Sequence, residues 1–269
     1  RRQRQMCIRD SLTYASYLHL ADLLDLQEPQ SSPAEHDEML FIVIHQTYEL
    51  WFKQLLHETA KVQRDFRANE LYAALHTFKR MRTIMKTLVA QIDVLETMTP
   101  RSFDSFRARL DTASGFQSGQ YREMEFLFGY KRPSVLAAIP ESGGARAAAE
   151  ARLEDRTLVD DFYLFLGQRG LKVPLALLER DVREAIAPSV ELQAEIYTAY
   201  DAQPNLALLF ELMMDFDEGL QEWRYRHVKL VERTIGAKHG TGGSAGIEFL
   251  KQSVFVQLFP DLWAVRHRM

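Results

Sequence analysis

The chain has 269 residues, enough for one large domain or two small ones around a sizeable core. With 46% hydrophobic and 26% charged residues and only 13 Gly and 9 Pro, it excludes collagen-like, low-complexity and largely disordered classes. The formal net charge of −4 argues against broad nucleic-acid binding, and the lone Cys7 excludes an internal disulfide, a CxxC redox pair and a cysteine zinc cluster. No apolar run approaches the roughly 18 residues of a membrane span; the densest is Met39 to Ile44. The opening RRQRQMC lacks the apolar stretch of a secretory leader, so a reducing, cytoplasmic setting is the expectation.

Helical periodicity runs along nearly the whole chain. Residues 11–26 carry Leu12, Ser16, Leu20, Leu23 and Leu24 at spacings of three and four, which predicts a helix. A second segment opens with Ser32-Pro33-Ala34-Glu35, a capping box with proline at the first helical position, and runs without Gly or Pro to about Ala68. Residues 69–99 are again free of both, and Pro100 ends them. Shorter helices fit 118–128, 157–166 and 187–202. Between them, Glu141 to Arg156 has alanine as nearly its only apolar residue, and the expectation is a mobile surface insertion over 141–156, because alanine buries little. A last long helix opens at Pro204 and continues to Ile235, with Gly236 as its stop. Helices of about 30 residues span roughly 45 Å and usually pack as bundles or in oligomer cores. No run alternates as a strand does, and no internal repeat is present. The prediction is all-α, a helical bundle with several long helices in a single domain spanning 1–269.

Five of the 13 glycines fall in GAKHGTGGSAG, residues 236–246. Such a loop suits close approach of backbone to a ligand, or a flexible surface turn. Its G-x-G-x-x-A match at Gly240 to Ala245 lacks the preceding strand of a dinucleotide site. Its G-x-S-x-G match around Ser244 likewise lacks the strand of a nucleophile elbow, which leaves a serine hydrolase using Ser244 as a distant alternative.

Of eight histidines, none has Glu three residues before it, and His57-Glu58 is followed by Lys61 where a zinc protease needs its second histidine. Two stand apart. His45 lies in MLFIVIHQTYELWF, sharing a face with Phe41 and Glu49. His227 lies in EWRYRHVKLVER beside Trp223, Leu230 and Val231. Buried imidazoles prefer to be neutral and need partners for their nitrogens. Two readings stay open for the pair: core histidines bonded to the protein, or ligands of a metal or haem. Arg107, flanked by Phe103, Phe106 and Leu110, is suited either to a structural pair with Asp104 or Asp111 or to clamping a ligand carboxylate by two parallel bonds. The SGFQSGQ turn that follows could line a pocket mouth.

The segments LTYASYLHLADLL (12–24), DEMLFIVIHQTYELWFKQLLHE (37–58), SGFQSGQYREMEFLFG (114–129), WRYRHVKLVERTIG (223–236) and GTGGSAGIEFLKQ (240–252) together resemble the tryptophan 2,3-dioxygenase family, in order and over nearly the whole chain. The resemblance implies an all-α, intertwined homotetramer that binds b-type haem without a covalent link, one per subunit. It implies insertion of both atoms of dioxygen across the indole C2–C3 bond of L-tryptophan to give N-formyl-L-kynurenine, the first step of the kynurenine route. By motif, His227 corresponds to the axial ligand of haem iron and His45 to the histidine that hydrogen-bonds the indole N–H. Phe41 would pack on the indole, Arg107 would hold the carboxylate, and Thr241 would help to hold the amino-acid end. Ser114 and Gly115 would lie beside dioxygen and the substrate ammonium. Phe103 stands in the substrate pocket where some members carry tyrosine, so it offers no hydroxyl. Tyr14 and Tyr17, in an N-terminal segment over 1–30, would reach a neighbouring subunit's pocket. The rival from another class is an electron-transfer or haem-carrying protein with both His45 and His227 on iron.

Overall fold

The computed structural model describes residues 11–236, 238 and 246–269. In chain order its α-helices are α1 (Tyr14–Tyr17), α2 (Leu20–Leu23), α3 (His36–Arg67), α4 (Leu71–Leu95), α5 (Pro100–Arg107), α6 (Gly119–Leu127), α7 (Ala145–Glu154), α8 (Leu158–Gln168), α9 (Leu175–Leu178), α10 (Val190–Ala202), α11 (Pro204–Ile235), α12 (Ile247–Lys251) and α13 (Pro260–Ala264). No strand occurs among the described residues, as the sequence predicts, and none of their helices is long and apolar enough to cross a membrane.

The three long helices α3, α4 and α11 build the core. On α4 the buried positions Leu71, Ala74, Phe78, Met81, Met85, Leu88, Ile92 and Leu95 recur every three or four residues, a stripe that faces both neighbours. It packs tightly on α11 at Gly219, where a β-carbon would lie 3.3 Å from Met85 Cβ. Helices α3 and α11 meet through side chains, with Tyr48 and Phe52 of α3 edge-on to Trp223 of α11 at 5.9 and 6.0 Å. Helix α8 packs on α3 with Phe162, Tyr163, Phe165 and Leu166 all buried.

Helix punctuation follows local chemistry, with shifts from expectation. Pro204 occupies the first turn of α11, and Gly236 ends it at φ 59°. The 69–99 stretch breaks four residues early: α4 ends at Leu95, and Pro100 instead opens α5 behind the Thr99 cap, whose hydroxyl accepts from Ser102 N at 3.1 Å. The capping box expected at Ser32 is absent, because α3 starts at His36. The carboxylate of Glu38 instead accepts the backbone N–H groups of Gln30 and Ser31 at 2.7 and 3.0 Å, while the Ser31 hydroxyl accepts from Glu35 N at 2.9 Å. The N-cap position itself, Glu35, makes no side-chain capping bond; these bonds instead tie the preceding segment to the first turn of α3.

The expectation for residues 11–26 is corrected, and that for 141–156 holds for its surface position but not for loose docking. Residues 11–26 form two single turns, broken at His19 with φ 50°, and not one helix; Leu12, Leu23 and Leu24 remain exposed, so their apolar stripe is left uncovered by the described residues. The alanine-rich stretch contains α7, docked on α6, with Ala149 wholly buried in a satellite core of Phe126, Val135, Leu136 and Ile139. Small size is what admits it: alanine lets two helix backbones approach closely, so little buried area per side chain does not prevent docking.

Candidate functional site

A cavity of about 260 Å³ opens where α3, α5, α6 and α11 converge. It gathers seven residues singled out in the sequence: Phe41 and His45 from α3, Phe103 and Arg107 from α5, Ser114 and Gly115 from the turn before α6, and His227 from α11. Tyr14 and Tyr17 lie elsewhere, 76% and 69% exposed on the N-terminal turns. Thr241 and Ser244 fall outside the described residues.

His45 and Phe41 are one turn apart, their rings 4.0 Å between centroids. Phe41 packs in turn on Phe103 and Phe106 at 5.7 and 5.6 Å, giving an aromatic wall. His45 Nδ1 lies 2.7 Å from the Phe41 carbonyl oxygen, which can only accept; the proton is therefore on Nδ1, and Nε2 is left as an acceptor. Burial holds His45 below its ordinary value, against smaller opposing effects of the Phe41 bond and the Glu49 charge. Glu49 itself is fixed by Gln120 of α6, whose amide donates to its carbonyl and carboxylate at 3.0 and 2.9 Å.

His227 faces the same space. Trp223, one turn before it, lies nearly parallel to its ring, 5° between planes and 5.3 Å between centroids. Burial first, then the neighbouring His45 and Arg122, push its pKa down to about 4, so the imidazole is neutral at pH 7 with a lone pair to give. It makes no hydrogen bond among the described residues.

The charged part of the wall escaped the sequence reading. Arg122 and Glu125 of α6, Arg132 and Arg224 all line the cavity, Arg122, Glu125 and Arg224 nearly fully buried. Glu125 pairs with both Arg122 and Arg132, and Arg224 donates to the Val256 carbonyl at 2.9 Å. Three guanidinium groups against one carboxylate leave an excess of two positive charges. Nε of Arg122, Nε of Arg132, and Nε and a terminal nitrogen of Arg224 are buried without a hydrogen-bond partner. Buried donor nitrogens left without acceptors are costly, and the surplus of guanidinium charge favours an anionic ligand in the cavity. The signal was present in the sequence: Arg122 and Glu125 stand three apart among Tyr121, Met124 and Phe126, and Arg224 sits inside WRYRH.

Such a site is suited to a broad apolar group that bears carboxylates and takes an imidazole on its metal. Phe52, Leu95, Trp223, Val228 and Leu230 offer apolar contact, the arginines would offer counter-charge, and His227 offers a neutral imidazole. Among the described residues no cluster of three or more His, Cys, Asp or Glu is disposed to chelate a bare ion.

Comparison with known proteins agrees with this chemistry. The family model for tryptophan 2,3-dioxygenase matches residues 2–137 and 182–269, leaving the segment that contains α7 and α8 between the two blocks. A tryptophan 2,3-dioxygenase from Herpetosiphon aurantiacus is 50% identical over 259 residues, covering 95% of this chain and 98% of the relative. One from Anaeromyxobacter sp. (strain K) is 49% identical, covering 95% and 96%, and one from Kineococcus radiotolerans is 43% identical, covering 95% and 90%.

Proposed function

The chain belongs to the tryptophan 2,3-dioxygenase family, and from that premise we propose that it inserts both atoms of dioxygen across the indole C2–C3 bond of L-tryptophan, giving N-formyl-L-kynurenine, with one non-covalent b-type haem per subunit. The observation that carries the proposal is the convergence of two neutral imidazoles, from α3 and α11, on one apolar cavity with Arg107 at its wall.

Haem, when bound, supplies the redox-active iron for the dioxygen chemistry. This chain's residues do the remaining work. His227 would give its lone pair to the haem iron, its ring orientation set by the stack on Trp223. Arg122, Arg132 and Arg224, whose side chains line the cavity, would hold the carboxylates of the cofactor. His45 Nε2 accepts the indole N–H, and its neutrality keeps that acceptor available. Phe41 and Phe103 pack on the indole, at about 25 cal/mol for each Å² of apolar surface removed from water. Arg107 binds the substrate carboxylate, selecting an amino acid over plain indole. Ser114 and Gly115 flank dioxygen and the substrate ammonium, with open space where a side chain on Gly115 would stand. Thr241, in the glycine-rich loop, helps to hold the amino-acid end. Burial of the substrate in an apolar pocket excludes water and strengthens each of these polar contacts.

The exposed N-terminal segment with Tyr14 and Tyr17 reaches the pocket of a neighbouring subunit in a homotetramer, and the cytoplasm is the setting. Residues 1–269 act as a single catalytic domain.

Protein reconstituted with haem, reduced, and titrated with carbon monoxide and then L-tryptophan tests the proposal. A Soret band that takes carbon monoxide and shifts on adding tryptophan is expected, with formation of the N-formyl product in air. No Soret band after haem addition would overturn it. A reduced spectrum that refuses carbon monoxide would overturn it in favour of both imidazoles on iron.

A further inference from the structure

We propose that α7 is a positioning element for the cavity wall: through the contact of Gly119 with Ala145 it sets where α6 places Arg122 and Glu125. The inference rests on the haem reading above, since these side chains are the ones assigned to the cofactor's carboxylates. It concerns a helix that lies between the two blocks matched by the family model.

Helix α6 divides its faces. Gly119, Glu123 and Phe126, spaced by four and three, turn toward α7. Tyr121, Arg122 and Glu125 line the cavity. On the α7 side the fit leaves no slack: a β-carbon at Gly119 would lie 2.8 Å from Ala145 Cβ. Glu123 is held by Arg152 at 3.1 Å, and Phe126 packs with the buried Ala149. The far end of α7 is held too, because Lys131 Nζ donates to the carbonyls of Leu153 and Asp155 at 2.8 and 2.5 Å.

The satellite core then connects α7 to the cavity a second time. Phe116 and Phe249 pack on that core, meet edge to face at 4.7 Å, and also line the cavity. Arg122 sits 5.0 Å over Phe116, and Arg132 sits 5.0 Å over Phe249. A displacement of α6 away from α7 therefore moves both arginines and the aromatic rings beneath them. Close-packed interiors transmit such shifts instead of absorbing them, and outer partners of metal-site residues typically change affinity about 10–100-fold when altered.

The test is a cycle on the one tight contact. Gly119→Ala adds the atom that must push the helices apart, Ala145→Gly removes the atom it meets, and the double variant restores the space. Haem dissociation constant, the Soret band of the reduced carbon-monoxide form, and KM against kcat for L-tryptophan are read beside Tm. Gly119→Ala is expected to weaken haem binding about tenfold and to shift the Soret band, Ala145→Gly to behave as the parent, and the double variant to recover. A lower Tm with parental haem affinity and spectrum in Gly119→Ala would show that the contact only stabilises, and would overturn the inference. Failure of the double variant to recover would overturn it as well. If Gly119→Ala does not fold, Arg152→Ala, which cuts the Glu123 pair on the same face, carries the same expectation at about threefold. Parent protein that takes up no haem would sink both readings, whereas parental uptake with unaltered variants sinks this one alone.

Discussion

His45 donates its Nδ1 proton to the carbonyl oxygen of Phe41, 2.7 Å away and one turn earlier on α3. That bond fixes the tautomer, and the same turn places the Phe41 ring 4.0 Å from the imidazole. One helical turn thus presents an apolar ring and a hydrogen-bond acceptor to the same cavity. Because burial holds His45 below the ordinary histidine value, the acceptor form persists at neutral pH and is lost only as pH falls through that lowered value. The kcat/KM for L-tryptophan is expected to stay flat across neutrality and to decline on the acid side below the range where free imidazole titrates, about 6.5. His45→Ala should remove this acid limb and lower kcat/KM about 10–100-fold while haem content is retained. A pH–rate profile of parent and variant decides it.

His227→Ala removes the only imidazole assigned to the iron. Haem occupancy after reconstitution is expected to fall by an order of magnitude or more. Free imidazole added to the variant should restore a histidine-like Soret band, because the cavity wall and the arginines are untouched. Retained occupancy with an unchanged spectrum would place the ligand elsewhere.

Arg107 is argued to discriminate by charge and geometry together. Arg107→Ala should reduce kcat/KM for L-tryptophan by about 10–100-fold, the equivalent of a charge-assisted contact of roughly 1.5–3 kcal/mol. Arg107→Lys should recover only part, because a point charge cannot make two parallel bonds to one carboxylate. Competition by an indole amine lacking the carboxylate gives the control, since its inhibition should change little in Arg107→Ala.

Glu38 closes the strap that leads into α3, taking N–H groups from Gln30 and Ser31 and the Ser31 hydroxyl. Burial alone would raise its carboxyl, but these bonds and the Arg109 charge hold it below the usual glutamate value. The sign follows: the clasp contributes fully above the unfolded carboxylate range and is lost as pH falls through the lowered folded value. Glu38→Gln should therefore cost about 1–3 kcal/mol at pH 7, with the difference from the parent shrinking in acid. Urea unfolding at several pH values measures both.

The long helices were legible because their information is local. Three- and four-residue spacing, Pro204 in the first turn and Gly236 at the end are properties of a helix whatever it packs against. His45, His227 and Arg107 were legible for a related reason: a polar group inside an apolar stripe must have a partner, so each one advertises a site. Burial by shape was not legible. Alanine-rich 145–154 reads as solvent-facing until Gly119 supplies a surface flat enough to receive it. In the opposite direction, the apolar stripe over 11–26 reads as a packed helix, yet without a partner among the described residues it holds only single turns.

Sequence by itself thus determined the all-α class, the three long helices and which polar groups stand inside apolar stripes, since these depend on side-chain type and on spacing within a turn or two. Tertiary structure alone decided that α3, α5 and α11 aim those groups into one cavity, and that Arg122, Arg132 and Arg224 surround it with more positive charge than Glu125 can neutralise. Periodicity is a property of one helix. Convergence and net charge in a cavity are sums over helices far apart in the chain, and only the packing brings those helices together.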